Sequence, residues 1–341
     1  FCLPYCRLPE YSNLHSVMNK IVIQGCLVGV LFLLAGCAMT GSRHTVNLYQ
    51  LVKESSVEIL VDGHLEGSGW FANAKGFVIT AAHAVSRTNT EIEIISEKIG
   101  RLPVEVVATD RGHDIALLRV PGGTPPYPYL KIAEKLPPPE APVYLYGSAL
   151  FHHGIMLGGI VARDGTTFTY YTDRQMLVRC YHVTAPSPPG TSGGPWVDRR
   201  GRVVGNQSGF ITHHGAGAGI ALVAPPDAIR QLVSTKQSVR TPALGCGLEE
   251  LWTQSPGFIK RFPNGTEGVV TIPIDKGGPV ETAGLTKESL IVAVEGKAVR
   301  YKDDVYRVVH CRKPGDMISI KVLDPDKTTP RDLQIKLGSL D

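Results

Sequence analysis

The chain has 341 residues, more than one hydrophobic core comfortably serves, so two or three domains are expected. Hydrophobic residues make up 43% and charged residues 19%, a globular balance that excludes a largely disordered or collagen-like chain. A formal net charge of +4 without a dense Lys/Arg block gives no reason to expect a nucleic-acid partner.

In chain order the first feature is MNKIVIQGCLVGVLFLLAGC, from Met18 to Cys37. Its apolar run, Ile21 to Leu34, is shorter than the ~20 residues that span a bilayer, so residues 18–36 read as a signal peptide. Residues 1–17 precede the first Met and read as upstream sequence from a misplaced start. The ending Leu34-Ala35-Gly36-Cys37 resembles the lipobox of bacterial lipoproteins. That resemblance implies cleavage before Cys37, acylation of Cys37, and a short tether over 37–47. The protein would then be held to a membrane and face the periplasm or the extracellular side. Several acyl chains anchor stably, each buried CH₂ contributing about 0.8 kcal/mol. An ordinary signal peptide or signal anchor with an incidental cysteine is the alternative. On the lipobox reading Cys2, Cys6 and Cys26 are lost and Cys180, Cys246 and Cys311 remain, too few and too odd for a disulfide framework.

Over 48–232 the sequence is strand-rich. SVEILVDG, GSGWFANA, GFVITAAH, TEIEIISEK, LPVEVVATD and DIALLRV are short Val/Ile-rich runs between Gly, Pro, Asp and Asn. A Pro-rich connector follows, then APVYLYG, GGIVARDG, TFTYYTD, QMLVRCYHV, GRVVGNQSG and GIALVAP. Such spacing predicts two β halves of a sandwich or barrel, closed by a helix over PPDAIRQLV. Residues 233–244 read as a linker. From 245 to 341 the character is mixed α/β: GVVTIPI, SLIVAVEG and MISIKVLD as strands, GPVETAGL and DDVYRVVHC as helices.

Acyl transfer needs a nucleophile, a base, an acid to hold the base, and donors for the oxyanion. TAAH at 80–83, HDIALLRV at 113–120 and GTSGGP at 190–195 supply them in order. His83 would be the general base, Asp114 its partner and Ser192 the nucleophile. The backbone N–H groups of Gly190 and Ser192 would form the oxyanion hole, Gly190 allowing a close approach that a Cβ would oppose. Taken singly, each segment reads as a surface histidine, a turn aspartate or a tight glycine turn. Their conjunction in the order His, Asp, Ser decides for catalysis. This chemistry calls for no cofactor. His152-His153 and His213-His214 lie in Gly-rich segments without a Cys or carboxylate frame, so no metal is expected.

GSGWFANAKGFVITAAHAV, DIALLRV, VYLYGSAL, GGIVARDG and PPGTSGGPWVDRRGRVVGNQSG together resemble the HtrA/Deg family of trypsin-like serine proteases. The C-terminal part strengthens the resemblance: GCGL at 245–248 is similar to a PDZ carboxylate-binding loop, and GGPVETAGL, SLIVAVEGKAV and KPGDMISIKVL to successive PDZ elements. The resemblance implies a mainly β fold, a chymotrypsin/trypsin-like double β-barrel followed by a small α/β PDZ domain. It also implies a serine endopeptidase acting on unfolded or misfolded envelope proteins, with homotrimers as the usual assembly of the family. Gly245, Cys246, Gly247 and Leu248 would receive the C-terminus of an apolar peptide, the N–H groups of Gly247 and Leu248 taking its carboxylate. Val305 and Val308 would wall the groove, and Cys246 and Cys311 would lie near its carboxylate end, where a disulfide is conceivable. The sequence departs from the family at Thr191, where Asn is usual, and at Val183-Thr184, where Thr-Asp is common. Pro186, six residues before Ser192, leaves nothing to pair with Arg or Lys, so cleavage after small or aliphatic residues is expected. The alternative is a peptide-binding, chaperone-like protein whose protease fold is inactive or conditionally active.

Overall fold

In the computed structural model, which describes residues 47–171, 176–213 and 216–339, the chain enters on helix α1 (Leu48–Ser55). Leu48, Leu51 and Val52 recur at helical spacing and pack on the barrels that follow. Cys37, the signal and tether segments before residue 47, and His214 lie outside the described residues.

The first barrel comprises β1 (Ser56–Val61), β2 (His64–Phe71), β3 (Phe77–Thr80), β4 (Ile92–Ser96), β5 (Gly100–Pro103), β6 (Glu105–Asp110) and β7 (Ile115–Arg119). Their order in the sheet is β5-β4-β1-β2-β3-β7-β6. β5 runs into β6 through Val104, so the two edges belong to one stretch of chain and the sheet curls round on itself. Val78, Ala116 and Leu118 fill its interior, while Phe77, Ile79, Ile115 and Leu117 face the second half of the protein. Both faces of β3 and β7 are therefore apolar, which is why FVIT and IALLR read as unbroken apolar runs.

The second barrel comprises β8 (Pro142–Gly147), β9 (Ile155–Val161), β10 (Thr167–Tyr171), β11 (Met176–Thr184), β12 (Pro195–Val197), β13 (Val203–His213) and β14 (Ala216–Ala224). The order is β10-β11-β14-β13-β12-β8-β9, and Val183 and Thr184 of β11 also pair with β9, closing the barrel. Val143, Leu145, Tyr181, Trp196 and Val223 fill it. Between the barrels lies a further core of Trp70, Ile79, Val197, Val203 and Ala224, sealed by Ile229 and Leu232 of α2 (Pro226–Thr235). Pro226 opens this helix, Asp227 meets its dipole, and Lys236 ends it in the left-handed conformation with its N–H donated to the Leu232 carbonyl.

Within the segment read as a linker, 233–244, α2 runs to Thr235, and Thr241, Ala243 and Leu244 are buried. Beyond it come β15 (Pro242–Ala243), β16 (Cys246–Glu250), α3 (Pro256–Ile259), β17 (Val269–Ile274) and α4 (Pro279–Thr282). They are followed by β18 (Leu290–Val294), β19 (Lys297–Ala298), α5 (Lys302–His310), β20 (Met317–Leu323), β21 (Arg331–Lys336) and β22 (Gly338–Ser339). The main sheet has the order β16-β17-β18-β20-β21, with β19 on β18 and β15 paired to β22. Asp304 receives the Tyr301 N–H at 2.8 Å and so caps α5, whose Val305, Tyr306 and Val309 are buried.

Candidate active site

β3 delivers the chain to a single 3₁₀ turn, Ala82–Val85, that presents His83. The tight turn joining β6 to β7 presents Asp114 at φ +53° and fully buried. The two turns are stitched together by Ala82 N–H donating to the Asp114 carbonyl at 3.2 Å. The Asp114 carboxylate then accepts from His83 N–H at 3.0 Å and meets His83 Nδ1 at 2.7 Å. Ser208 Oγ donates a third bond at 2.6 Å. Burial works to raise the Asp114 carboxyl, but the His83 charge and these hydrogen bonds outweigh it and hold the group below the usual carboxylate range. An ionised carboxylate only accepts, so the His83 proton sits on Nδ1 and Nε2 keeps its lone pair.

Ser192 comes from the second barrel, on the turn before β12. Its carbonyl accepts the Ser68 N–H at 2.8 Å, and Gly193 N–H donates to the Gln207 carbonyl at 2.7 Å. Gly193 has φ +83°, and a Cβ there would fall 2.2 Å from the Ser68 carbonyl oxygen. Thr191 Oγ1 donates to the Pro188 carbonyl at 2.6 Å, closing the turn from within. Behind it, Ser68 Oγ donates to the Gly190 carbonyl at 2.8 Å and receives Ser148 N–H at 3.0 Å, while Leu150 N–H donates to the Pro189 carbonyl. Among the described residues neither the Gly190 nor the Ser192 N–H is hydrogen-bonded. His83 and Ser192 both line one cleft of about 770 Å³ that continues along Gly209, Phe210, Ile211 and Thr212. Beside it is a hollow of about 440 Å³ lined by Pro186, Ser187, Pro189, Phe210, Gly219 and Ile220, with no ionisable side chain.

Ser208 was not singled out from the sequence. The pairing of β13 with β14 slips between Gln207 and Gly209, leaving Ser208 as the extra residue of a bulge that bonds Asp114. A signal was present: Asn206, Gln207 and Ser208 are three consecutive polar residues, all buried, following the apolar, buried Val203, Val204 and Gly205. Asn206 and Gln207 accept the indole N–H groups of Trp70 and Trp196, at 3.0 and 2.8 Å. Ser68 and Ser148 were likewise missed.

The expected peptide loop lies at the head of β16. Gly245 has φ +73°, and Cys246, Gly247 and Leu248 are buried. Of the two residues expected to wall the groove, Val305 of α5 is buried and Val308 half-buried, with Tyr306 and Val309 buried beside them. Phe168 and Leu177 of the second barrel join the same apolar cluster as Cys246, Leu248 and Val305. Cys246 is buried, Cys311 exposed, and both are free thiols, so the conceivable disulfide is absent. His153 pairs with Glu58, and no group of three metal-ligating side chains occurs among the described residues.

Residues 67–205 match a family model described as a trypsin-like peptidase domain. A "Probable periplasmic serine endoprotease DegP-like" of Pseudomonas putida (strain GB-1) is 26% identical over 280 residues, 80% of this chain and 56% of that protein. A protein of the same description from Chlamydia trachomatis serovar D is 23% identical over 268 residues, 77% of this chain and 52% of its own. The chain thus spans about half the length of these curated relatives. Among solved structures, the HtrA-type protease AlgW with a decapeptide superposes with a TM-score of 0.61 at 16% identity, covering 87% of this chain and 98% of that one. The serine endoprotease from Yersinia pestis gives 0.56 at 17%, covering 86% and 97%. Residues 67–205 thus match a trypsin-like peptidase domain, and the fold agrees with that match. The curated proteins that the chain resembles are described as DegP-like periplasmic serine endoproteases.

Proposed function

We propose that this chain is an HtrA-type serine endopeptidase, held to the outer face of a membrane through lipidated Cys37 and acting on unfolded envelope proteins. The observation that carries the reading is the Asp114 carboxylate, buried and bonded by both His83 and Ser208, behind a cleft that His83, Ser208 and Ser192 line and where two N–H groups are uncommitted. Ser192 Oγ attacks the scissile carbonyl carbon while His83 Nε2 takes its proton. The oxygen, now negative, is received by the N–H groups of Gly190 and Ser192, donors that need no reorganisation as charge develops. Collapse breaks the C–N bond, the leaving amine takes the proton from His83, and an acyl ester remains on Ser192. Water, deprotonated by His83, then attacks the ester and frees Ser192. Asp114 fixes the imidazole tautomer and stabilises the imidazolium in both steps.

The uncharged hollow beside the cleft supports cleavage after small or aliphatic residues, since no carboxylate lines it. The part from 245 to 341 is read as a PDZ domain that takes apolar C-terminal peptides at Gly245, Cys246, Gly247 and Leu248, within a homotrimer. A second reading makes catalysis conditional on displacing a contact, and the burial of Cys246 and Leu248 beside Phe168 favours it. Incubation of the chain lacking its first 37 residues with unfolded casein, beside Ser192→Ala, tests both. Cleavage by the parent alone, after small or aliphatic residues, is expected. Equal cleavage by both overturns the nucleophile assignment, and binding of apolar peptides without cleavage selects the second reading.

A further inference from the structure

Helix α5 is held at its start by the second barrel and at its end by both barrels. At its start the Asp303 carboxylate accepts Thr167 Oγ1 at 2.9 Å and the Phe168 N–H at 3.4 Å. Along its length the Phe168 ring lies 5.9 Å from Tyr306 and 5.4 Å from His310. At its end His310 meets His113 edge-on, ring centres 5.3 Å apart. His113 belongs to the turn that carries Asp114 and is itself buried in a chain of bonds. Its Nδ1 meets Asp110 at 2.7 Å, Arg179 Nε donates to its Nε2 at 2.9 Å, and the Arg179 guanidinium bonds Asp227 at 2.6 Å.

Arginine only donates, so His113 Nε2 must accept and the ring proton must lie on Nδ1 facing Asp110. A second proton would set Nε2–H against the Arg179 N–H. A charge on His310 would sit in an apolar contact, faced by His113 and Arg179 with only Asp110 and Asp227 to offset them. Near the start of α5, His182 of β11 has a buried Nε2 without a partner, faced by Arg163, Lys302 and Asp303. His310 and His182 thus lie half-buried where an added charge would face other cations.

We propose that this contact is an acid-sensitive latch: protonation of His310, with His182 at the far end of α5, releases the C-terminal region from the second barrel and uncovers the face of Cys246, Leu248 and α5 that Phe168 covers. The direction follows from burial, which together with His113 and Arg179 pushes His310 down to about 4 from an ordinary 6.5. His182 is pushed down to about 4 by burial and by Arg163 and Lys302. A group lowered in the closed state and normal in the open one leaves the closed state at full strength above pH 6.5. That strength is lost as the pH falls from 6.5 towards 4. Between pH 7.5 and 5.0 the His310 shift alone lowers the closed-to-open ratio about 30-fold, and His182 acts in the same direction. The latch does not rest on the peptidase reading, because its test needs no activity.

The test is hydrogen exchange of the full chain at pH 7.5 and 5.0, corrected for intrinsic rates and read at 167–171, 302–310 and, as a control, 115–119 within the first barrel. Protection at the first two segments is expected to fall at least tenfold at pH 5.0 while 115–119 holds. His310→Phe, which keeps the ring beside Phe168 but cannot take a proton, is expected to remain at least tenfold more closed at pH 5.0; His310→Gln supplies the contrast if that variant does not fold. Unchanged protection in the parent, equal opening in the variant, or parallel loss at 115–119 would each overturn the latch.

Discussion

Ser208→Ala removes the 2.6 Å bond to Asp114 and leaves the two from His83, at 2.7 and 3.0 Å. Asp114 is fully buried, so water does not replace the lost donor. A hydrogen bond to a charged group contributes about 1.5–3 kcal/mol. The full difference is felt where Asp114 must stabilise the imidazolium, so kcat is expected to fall about 10- to 150-fold, at about 1.4 kcal/mol per factor of ten. KM should hold, because the hydroxyl points at Asp114 rather than along the cleft. Tyr171→Phe is the control: its hydroxyl lies 3.0 Å from Ser208 Oγ, and removing it leaves the bond from Ser208 to Asp114 in place. Hydrolysis of a chromogenic peptide at saturating and limiting concentration separates kcat from KM. A kcat for Ser208→Ala within about twofold of the parent would refute the view that Asp114 depends on three donors.

Two further outcomes follow from the same geometry. Gly190→Ala would place a Cβ 2.1 Å from the Ser148 carbonyl oxygen at φ +89°, so the turn must shift. Loss of one aligned oxyanion donor implies a fall of about 10² or more in kcat, with a thermal melt near that of the parent showing that the fold survives. Alkylation of the native protein followed by mass mapping should modify Cys311 and spare Cys180 and Cys246. Both spared thiols are buried, and burial pushes the Cys180 thiol up to about 12.

The reading of the sequence reached furthest where local pattern and three-dimensional role coincide. FVIT and IALLR are apolar on both faces because each strand serves two cores, and that redundancy made them easy to recognise. His83, Asp114 and Ser192 were legible because glycines and short turns must surround them. Ser208 was hidden, since its role arises from a bulge, and a bulge is set by cross-strand register rather than by spacing along one strand. β21 carries Asp332, Gln334 and Lys336 on its outer face, has Arg331 beside Leu333 and Ile335 on the other, and lies at a sheet edge, so its apolar residues are too few to signal a strand. α1 was missed because its eight residues contain a single fully apolar stripe and no N-terminal acid to mark its start. The burial around residues 241–244 and beside Phe168 was not legible in the sequence. Contacts between Phe168, Leu177 and the C-terminal sheet join residues more than sixty positions apart, and no local pattern encodes them.

The division of the site between two barrels has a bearing on the life of the molecule before it works. His83 and Asp114 come from the first barrel, Ser192 and Ser208 from the second, and the shared core of Trp70, Ile79, Val197 and Val203 brings them into line. A chain that has completed only its first half owns a base without a nucleophile. If its substrates are unfolded polypeptides, as proposed above, an undivided site would threaten its own nascent copies first. Splitting the machinery makes hydrolysis the last property to appear as the chain matures, a safeguard written into the order of the residues.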